Sequence, residues 1–352
     1  MKNKTEVRQS QLLMHLVEEY IETNEPVSSG LLCKKYLSYV SPATIRIDLH
    51  KMEEKNLIFQ PHTSAGRIPT LNGFKKYFEI IEESIGKVNF KQVETLQKIL
   101  IANYKDIPLA LHYIKQLLAK ETDQLSFVAE PEIANGYLKS FSAFKISENK
   151  ILFVVSLDSG IDKTVIIKCE NNISPNQLKA LVRYINDELY GARIFDIQNK
   201  YLKELNSKVA SENGLMISFM EEIKKALSEI SNYFIFFDGN INFLEQPEFD
   251  SKKEIISFLG LMQRQDIIFS KMQEKAVEEK PYYIINGDEF GQPKWSKLVI
   301  VFSRYQLFDI PGYLGIISPI RMNYRKTIPI VRDMAKAITE ITKKGMVVQY
   351  EK

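Results

Sequence analysis

The sequence predicts an α+β protein of several domains, with an N-terminal winged helix-turn-helix followed by an α/β domain that a helical segment interrupts. Three observations support this fold class. A capped amphipathic helix starts at Ser41, and a short hairpin follows it within the first 85 residues. Beyond residue 125, β-rich runs give way to helical patterns and then return. A chain of 352 residues is long enough for two or three domains with cores of their own.

The first two helices are predicted from apolar periodicity and from the residues that break it. An amphipathic pattern covers residues 6–23, and Asn24 with the Glu-Pro-Val that follows ends it. A second helix is expected from a cap at Ser28 or Ser29 through Tyr36. Residues 37–40 then form the turn before the third helix.

The third helix has the strongest end signals. Ser41 supplies an N-cap oxygen, Pro42 occupies the first helical position, and Asn56 tolerates the left-handed conformation at the end. At 100° per residue one face is apolar, formed by Ile45, Leu49 and Met52. The other face carries small, basic and hydrogen-bonding side chains, namely Ala43, Arg46, Ile47, His50 and Lys51. Such a helix suits insertion into the major groove of DNA.

A hairpin is predicted behind this helix, with residues 57–60 and 67–70 as strands. Residues 62–66 make the turn, in which Gly66 is expected to take a positive φ. Arg67, beside the turn, is expected to contact phosphate or the minor groove. The predicted DNA contacts are Ser41, Ala43, Thr44, Arg46, Ile47, His50, Lys51, His62, Thr63, Ser64, Gly66 and Arg67. A plain amphipathic helix in a helical domain and an ordinary turn arginine remain the alternatives.

Four segments are predicted along the chain. Residues 1–85 form the winged-helix domain, and residues 86–120 form a helical connector that breaks near Pro108. Residues 121–198 and 280–352 contain β-rich runs and terminal helices, and so form one α/β domain. Residues 199–279 form a helical insertion within it.

Composition and charge exclude several classes of protein. The net charge of +3 is too small to indicate nucleic-acid binding by itself, yet residues 26–76 contain eight Lys and Arg against three Asp and Glu. Cys33 and Cys169 form no CxxC or Cys/His cluster, which is typical of a reducing cytoplasm. No apolar run approaches the roughly 18 residues of a membrane span. We expect a soluble, cytoplasmic protein without a membrane partner.

No catalytic, cofactor-binding or metal-binding pattern is present. The sequence contains no GxxxxGK[ST], GxGxxG, HExxH or GxSxG motif. The four histidines are scattered, which gives no reason to expect a metal site. An enzyme is therefore disfavoured, and no cofactor is expected.

Five blocks resemble the heat-inducible transcription repressor HrcA family. They are residues 25–29 (EPVSS), 41–46 (SPATIR), 60–70 (QPHTSAGRIPT), 243–249 (FLEQPEF) and 314–324 (LGIISPIRMNY). The block at 60–70 is the most specific. The sequence departs from the family pattern at Ile47, where members usually carry Asn, and at Gly30, where they usually carry Lys.

The resemblance implies a winged-helix domain, a GAF-like domain and a dimerisation domain inserted into the latter. It also implies a homodimer that binds double-stranded DNA at an inverted repeat, the CIRCE operator, and represses chaperone operons. In the family the chaperonin GroEL maintains the active repressor. An alternative that keeps the winged helix makes the GAF-like domain a sensor of a small molecule.

Overall fold

A computed structural model describes residues 4–86, 107–168, 173–201, 221–228, 235–239, 243–307 and 310–350, with short pieces between 94 and 103. Of the helical pattern predicted for residues 87–120, the part before residue 107 lies largely outside the described residues, and residues 107–120 are helical. Most of the helical pattern predicted for 202–235 also lies outside the described residues. Of the latter, residues 221–228 are described and are helical.

The N-terminal unit, residues 4–86, contains four helices and a hairpin in the predicted order. Its elements are α1 (Lys4–Thr23), α2 (Ser29–Lys35), α3 (Pro42–Glu54), β1 (Ile58–Phe59), β2 (Ile68–Pro69) and α4 (Leu71–Ile81). β1 and β2 pair antiparallel and are shorter than predicted. The predicted apolar face of α3 is buried, with Ile45, Leu49 and Met52 each at most 1% exposed.

Local hydrogen bonds explain where these helices begin and end. The Ser28 and Ser41 hydroxyls accept from the backbone N–H groups of Leu31 and Thr44, both at 3.2 Å, which caps α2 and α3. Asn56, just after α3, takes a φ of 54°, as predicted. The cap and end signals of α3 are thereby confirmed.

The reason for glycine at position 66 differs from the predicted one. Gly66 is not among the residues with positive φ, so that prediction is wrong. The hairpin instead lies against the chain before α2, where Val27 and Arg67 exchange backbone hydrogen bonds of 2.9 and 2.8 Å. A Cβ at position 66 would lie 2.5 Å from the carbonyl oxygens of Pro26 and Val27. The close approach of two backbones therefore requires the glycine.

The remaining strands form two sheets. They are β3 (Leu125–Ala129), β4 (Leu138–Ser147), β5 (Lys150–Leu157), β6 (Asp162–Lys168), β7 (Ile235–Asp238), β8 (Tyr283–Asn286), β9 (Leu298–Leu307) and β10 (Ile310–Pro319). The larger sheet has the order β7-β3-β10-β9-β8 and the smaller has β4-β5-β6, and every described pair is antiparallel.

Helices cover both faces of the larger sheet. They are α5 (Ile107–Thr122), α7 (Lys252–Met262), α8 (Gln265–Lys275) and α9 (Tyr324–Tyr350), whereas α6 (Pro175–Leu189) packs on the smaller sheet. Along β9, Val299 and Val301 share a core with α9, whereas Ile300 and Phe302 share one with α7 and α8. Every residue of β10 is buried. We call the larger sheet with α5, α7, α8 and α9 the body.

The smaller sheet has one buried and one open face. On β5, Ile151, Phe153, Val155 and Leu157 are buried, and the adjoining β4 packs against α6. The Asn186 side chain of α6 exchanges 2.7 Å hydrogen bonds with the backbone of β4 at Phe141. The opposite face of this sheet is not covered by any part of the chain that the structure describes. We call β4–β6 with α6 the small-sheet unit.

Strand pairing corrects the predicted position of the insertion. β7 lies within the predicted insertion at 199–279, yet it pairs with β3 of the body. α7 and α8, from the same segment, pack on the body as well. The chain instead leaves the larger sheet between β3 and β7, where it forms the small-sheet unit. The short apolar run at 234–237 does not distinguish strand from helix by its periodicity, which explains the error.

Candidate nucleic-acid interface

The exposed face of α3 carries most of the predicted contact residues. Thr44 is half-buried, and the side chain of Ile47 is 57% exposed. The remaining predicted contacts on this helix are all exposed, namely Ser41, Ala43, Arg46, His50 and Lys51. Since the buried residues of α3 lie on the other side, this face is free to approach a ligand.

The N-terminal end of α3 is open to solvent. The Ser41 hydroxyl caps the helix and lies 2.9 Å from the Thr44 hydroxyl. Pro42 has no N–H to satisfy. The positive end of the helix dipole therefore points outward beside the basic face, an arrangement that favours phosphate.

A buried carboxylate holds α3 in place on α1. Asp48 is 1% exposed, and its oxygens accept from Arg8 Nε at 2.6 Å and Gln9 Nε2 at 3.1 Å. Burial alone would raise the pKa of Asp48, but the hydrogen bonds from Arg8 and Gln9 outweigh it and hold the pKa below its usual range. This role was not predicted, although Asp48 stands in helical phase with Ile45 and Met52.

Replacing Asp48 by Asn is expected to lower the free energy of unfolding by about 1–2 kcal/mol at pH 7, a modest value because Arg8 is partly exposed. Folding lowers the pKa of Asp48, so its stabilisation is fully present above the unfolded pKa of about 4. It is lost as the pH falls through the lower pKa of the folded state. Urea unfolding of the wild type and Asp48→Asn across pH 2–7 measures this difference.

The matched control is Asp266→Asn, which removes a solvent-exposed partner of Arg264 and is expected to unfold like the wild type. Equal midpoints for Asp48→Asn and the wild type at pH 7 would show that the Arg8 pair does not hold α3.

The hairpin loop exposes three polar side chains, and hydrogen bonds within the loop hold its backbone in place. Gln60 Nε2 donates to the carbonyl oxygens of Thr63 and Ala65, both at 2.9 Å. The Ala65 N–H donates to the His62 carbonyl at 2.8 Å. The side chains of His62, Thr63 and Ser64 are exposed. The loop therefore has a defined shape with hydrogen-bonding groups at its tip.

Arg67 lies at the base of the hairpin rather than at its tip. Its Nε is 3.2 Å from Glu53 Oε1 at the end of α3, and its side chain is largely buried. This pair joins hairpin and helix. The pair with Glu53 engages Nε of the guanidinium, and the predicted phosphate contact of Arg67 stays a prediction.

Tyr39 is an exposed residue of this surface that is not among the predicted contacts. It lies in the turn before α3, is 72% exposed, and its hydroxyl is 3.2 Å from Gln11 Oε1. Nothing in the sequence distinguishes it from a buried turn tyrosine. Its place beside Ser41 makes it a further candidate contact.

The described residues contain no group of three or more His, Cys, Asp or Glu side chains placed to hold a metal ion. Among those residues there is also no helix of the length and apolarity needed to cross a membrane.

Comparison with known proteins gives the family. A family model described as "HrcA protein C terminal domain" matches residues 110–328, which is more than half of the chain. The chain belongs to the HrcA family. The resemblance predicted from the sequence blocks is thereby confirmed.

HrcA relatives match over nearly their whole length. A protein from Acetivibrio thermocellus named heat-inducible transcription repressor HrcA is 27% identical over 335 residues, 95% of each chain. A protein of the same name from Natranaerobius thermophilus is 29% identical over 336 residues, 94% of this chain and 95% of its own. A crystal structure described as that of a hypothetical protein covers 98% of this chain and 99% of its own, with 22% identity and a TM-score of 0.60. This last similarity supports the fold alone.

Two blocks of the HrcA resemblance outside the N-terminal unit meet in the structure. Glu248 belongs to the block at 243–249 and Arg321 to the block at 314–324. Arg321 Nε lies 2.7 Å from Glu248 Oε1, and both side chains are about 85% buried. This contact could not be predicted from the two blocks, because 73 residues separate the pair.

Proposed function

We propose that this chain is a non-enzymatic, heat-inducible transcription repressor that binds operator DNA through a winged helix formed by residues 4–81. The names of its HrcA relatives support the repressor function. DNA binding is proposed from the exposed face of α3, because Arg46, Ile47 and His50 project away from a helix whose other side is buried. The twelve predicted contact residues, with Tyr39, form the proposed interface.

The operator of this proposal is an inverted repeat of the CIRCE type, and the protein acts as a homodimer. A two-fold operator requires a two-fold protein. The open face of the small-sheet unit supports an interface there, since Phe144, Leu152 and Ile166 lie side by side on three paired strands. Phe144 and Ile166 are each 56% exposed. A second copy of this face would cover them.

The family resemblance supplies the rest of the proposal. The regulated genes are chaperone operons, and the chaperonin GroEL maintains the active form in the cytoplasm. The body is GAF-like. No cofactor takes part.

Genome-wide footprinting of the bound protein tests the proposal as a whole. We expect occupied sites to contain an inverted repeat and to lie before chaperone genes. Occupancy spread without sequence preference, or restricted to unrelated promoters, would contradict it.

Arg67→Ala tests the role of the hairpin base. Loss of a phosphate contact is expected to weaken specific and non-specific binding alike and to lower the salt dependence by roughly one unit of slope. Glu53→Gln is the matched control, because it removes the negative charge of the partner of Arg67 and keeps the guanidinium. Titration of binding against salt concentration measures both variants. An unchanged slope for Arg67→Ala would assign it to the pair with Glu53 alone.

A cavity favours a second candidate function, in which a small molecule controls DNA affinity. The cavity of about 350 Å³ lies between α4 and the body and is lined by Phe74, Lys75, Phe78, Lys280 and Tyr282, among others. Thermal-shift screening of the full chain against metabolites tests this candidate. A stabilising ligand that also releases DNA would favour it over the proposal above.

A further inference from the structure

Two arginines of the body make directional contacts with the N-terminal unit. Arg321 lies in the turn after β10, and Arg325 lies in the first turns of α9. The neighbouring contacts are aromatic, such as the edge-to-face pairs Tyr77–Tyr324 and Phe78–Tyr282 at about 6 Å. Other polar contacts also join the two parts, such as Lys75 Nζ to Asp288 Oδ2 at 2.8 Å and Arg332 Nη2 to the Gly86 carbonyl oxygen at 2.7 Å. Arg321 and Arg325 differ in that they bind α1, and so they help to set the angle of α1 on the body.

Arg321 joins three elements through one guanidinium. Its Nε and Nη2 donate to the Glu248 carboxylate at 2.7 and 3.4 Å. Its Nη1 donates to the carbonyl oxygen of Ile21 at 2.8 Å. That carbonyl is among the last four of α1, which an α-helix leaves without an internal partner, and the negative end of the dipole favours a cation there. Glu248 thus orients an arginine that binds the end of α1.

Arg325 binds the same helix one turn earlier. Its Nε is 2.8 Å from Glu18 Oε1, and its Nη1 donates to the Ser84 hydroxyl at 2.9 Å. Glu18 is one of the acidic residues of α1, which carries none of the predicted DNA contacts. The planar guanidinium of arginine binds two partners in fixed directions, and so it fixes orientation better than the ammonium group of a lysine does. The two arginines therefore bind α1 at Glu18 and Ile21.

We propose that Arg321 and Arg325 are positioning residues that set the angle of the N-terminal unit on the body, so that the two units of a dimer match the spacing of an inverted repeat. The inference rests on the proposed function. Neither arginine contacts DNA. Their effect is confined to simultaneous binding of two half-sites, because effective concentration at the second site depends on geometry.

Charge reversal at the Glu18–Arg325 pair provides the test. Arg325→Glu places two carboxylates together, and Glu18→Arg/Arg325→Glu restores an ion pair with its direction reversed. Both side chains are partly exposed, at 26% and 37%, so the substitutions do not bury an uncompensated charge. Lys326→Met is the matched control, because Lys326 follows on α9 and pairs with Asp123 of the body.

The measurement is binding of the full-length protein to a single half-site and to inverted repeats of varied spacing, with thermal unfolding alongside. We expect Arg325→Glu to lose on the order of tenfold affinity for the repeat that the wild type prefers. Half-site affinity should stay unchanged, the preference for one spacing should flatten, and the double variant should recover both. Lys326→Met should behave like the wild type.

Three results would overturn the inference. Equal losses on half-site and repeat would show a general loss of folded protein rather than of orientation. An unchanged spacing preference in Arg325→Glu would show that the pair does not set the angle. A wild type that binds neither DNA would remove the proposed function itself, which separates that failure from the other two.

Discussion

Phe144→Glu/Ile166→Glu is expected to turn the protein into a monomer and to weaken binding to the inverted repeat by about 100- to 10,000-fold. The two side chains lie on the outer strands of the small sheet, on either side of Leu152. Each is more than half exposed in the single chain, so glutamate is tolerated by the monomer. In a dimer, carboxylates would face an apolar partner surface without compensation.

The loss is large because the second half-site binds at high effective concentration only when two units are joined. Affinity for a single half-site is expected to remain, since α3 and the hairpin lie in the N-terminal unit. Sedimentation velocity measures the oligomeric state, and binding to half-site and full operator measures the affinity. Val277→Glu is the matched control, because Val277 is 84% exposed and follows α8 of the body. A double variant that sediments with the wild type would exclude this face as the interface.

The N-terminal unit could be predicted closely because its determinants are local. The Ser41 cap, Pro42 and the end of α3 at Asn56 all act within a few residues. The burial of Leu49 and the exposure of Ile47 follow from helical periodicity alone.

The arrangement of the body could not be predicted in the same way. Strand order depends on pairing between distant segments, such as Phe127 with Phe237. A four-residue strand carries too few alternations to distinguish itself from one turn of a buried helix. The predicted insertion at 199–279 was misplaced for this reason.

Part of the site also could not be predicted, because the sequence contains no local signal for it. Asp48 pairs with Arg8 across 40 positions, and Arg325 pairs with Glu18 across 307. In the sequence, a charged residue that forms such a pair cannot be distinguished from one that is exposed to solvent. For Asp48, its phase on the buried side of α3 was the one signal available.

The sharpest change in DNA readout is expected from Ile47→Asn. Ile47 is 57% exposed in the middle of the free face of α3, so the helical phase on which this expectation rests is confirmed. Isoleucine has neither donor nor acceptor and can pack only on an apolar group such as a thymine methyl. Asparagine can pair with both N6 and N7 of an adenine. The family resemblance implies asparagine at this position, so the substitution would restore the family pattern.

A good bidentate contact contributes roughly 1–3 kcal/mol of discrimination, so Ile47→Asn is expected to sharpen the preference at one operator position by about 5- to 150-fold. Binding to random DNA should barely change, because the phosphate contacts are untouched. Competitive binding of both proteins to a library of half-site variants measures the effect. Ile47→Ala is the matched control, since it removes the apolar contact without adding a hydrogen bond. If wild type and Ile47→Asn rank every variant alike, position 47 does not read bases.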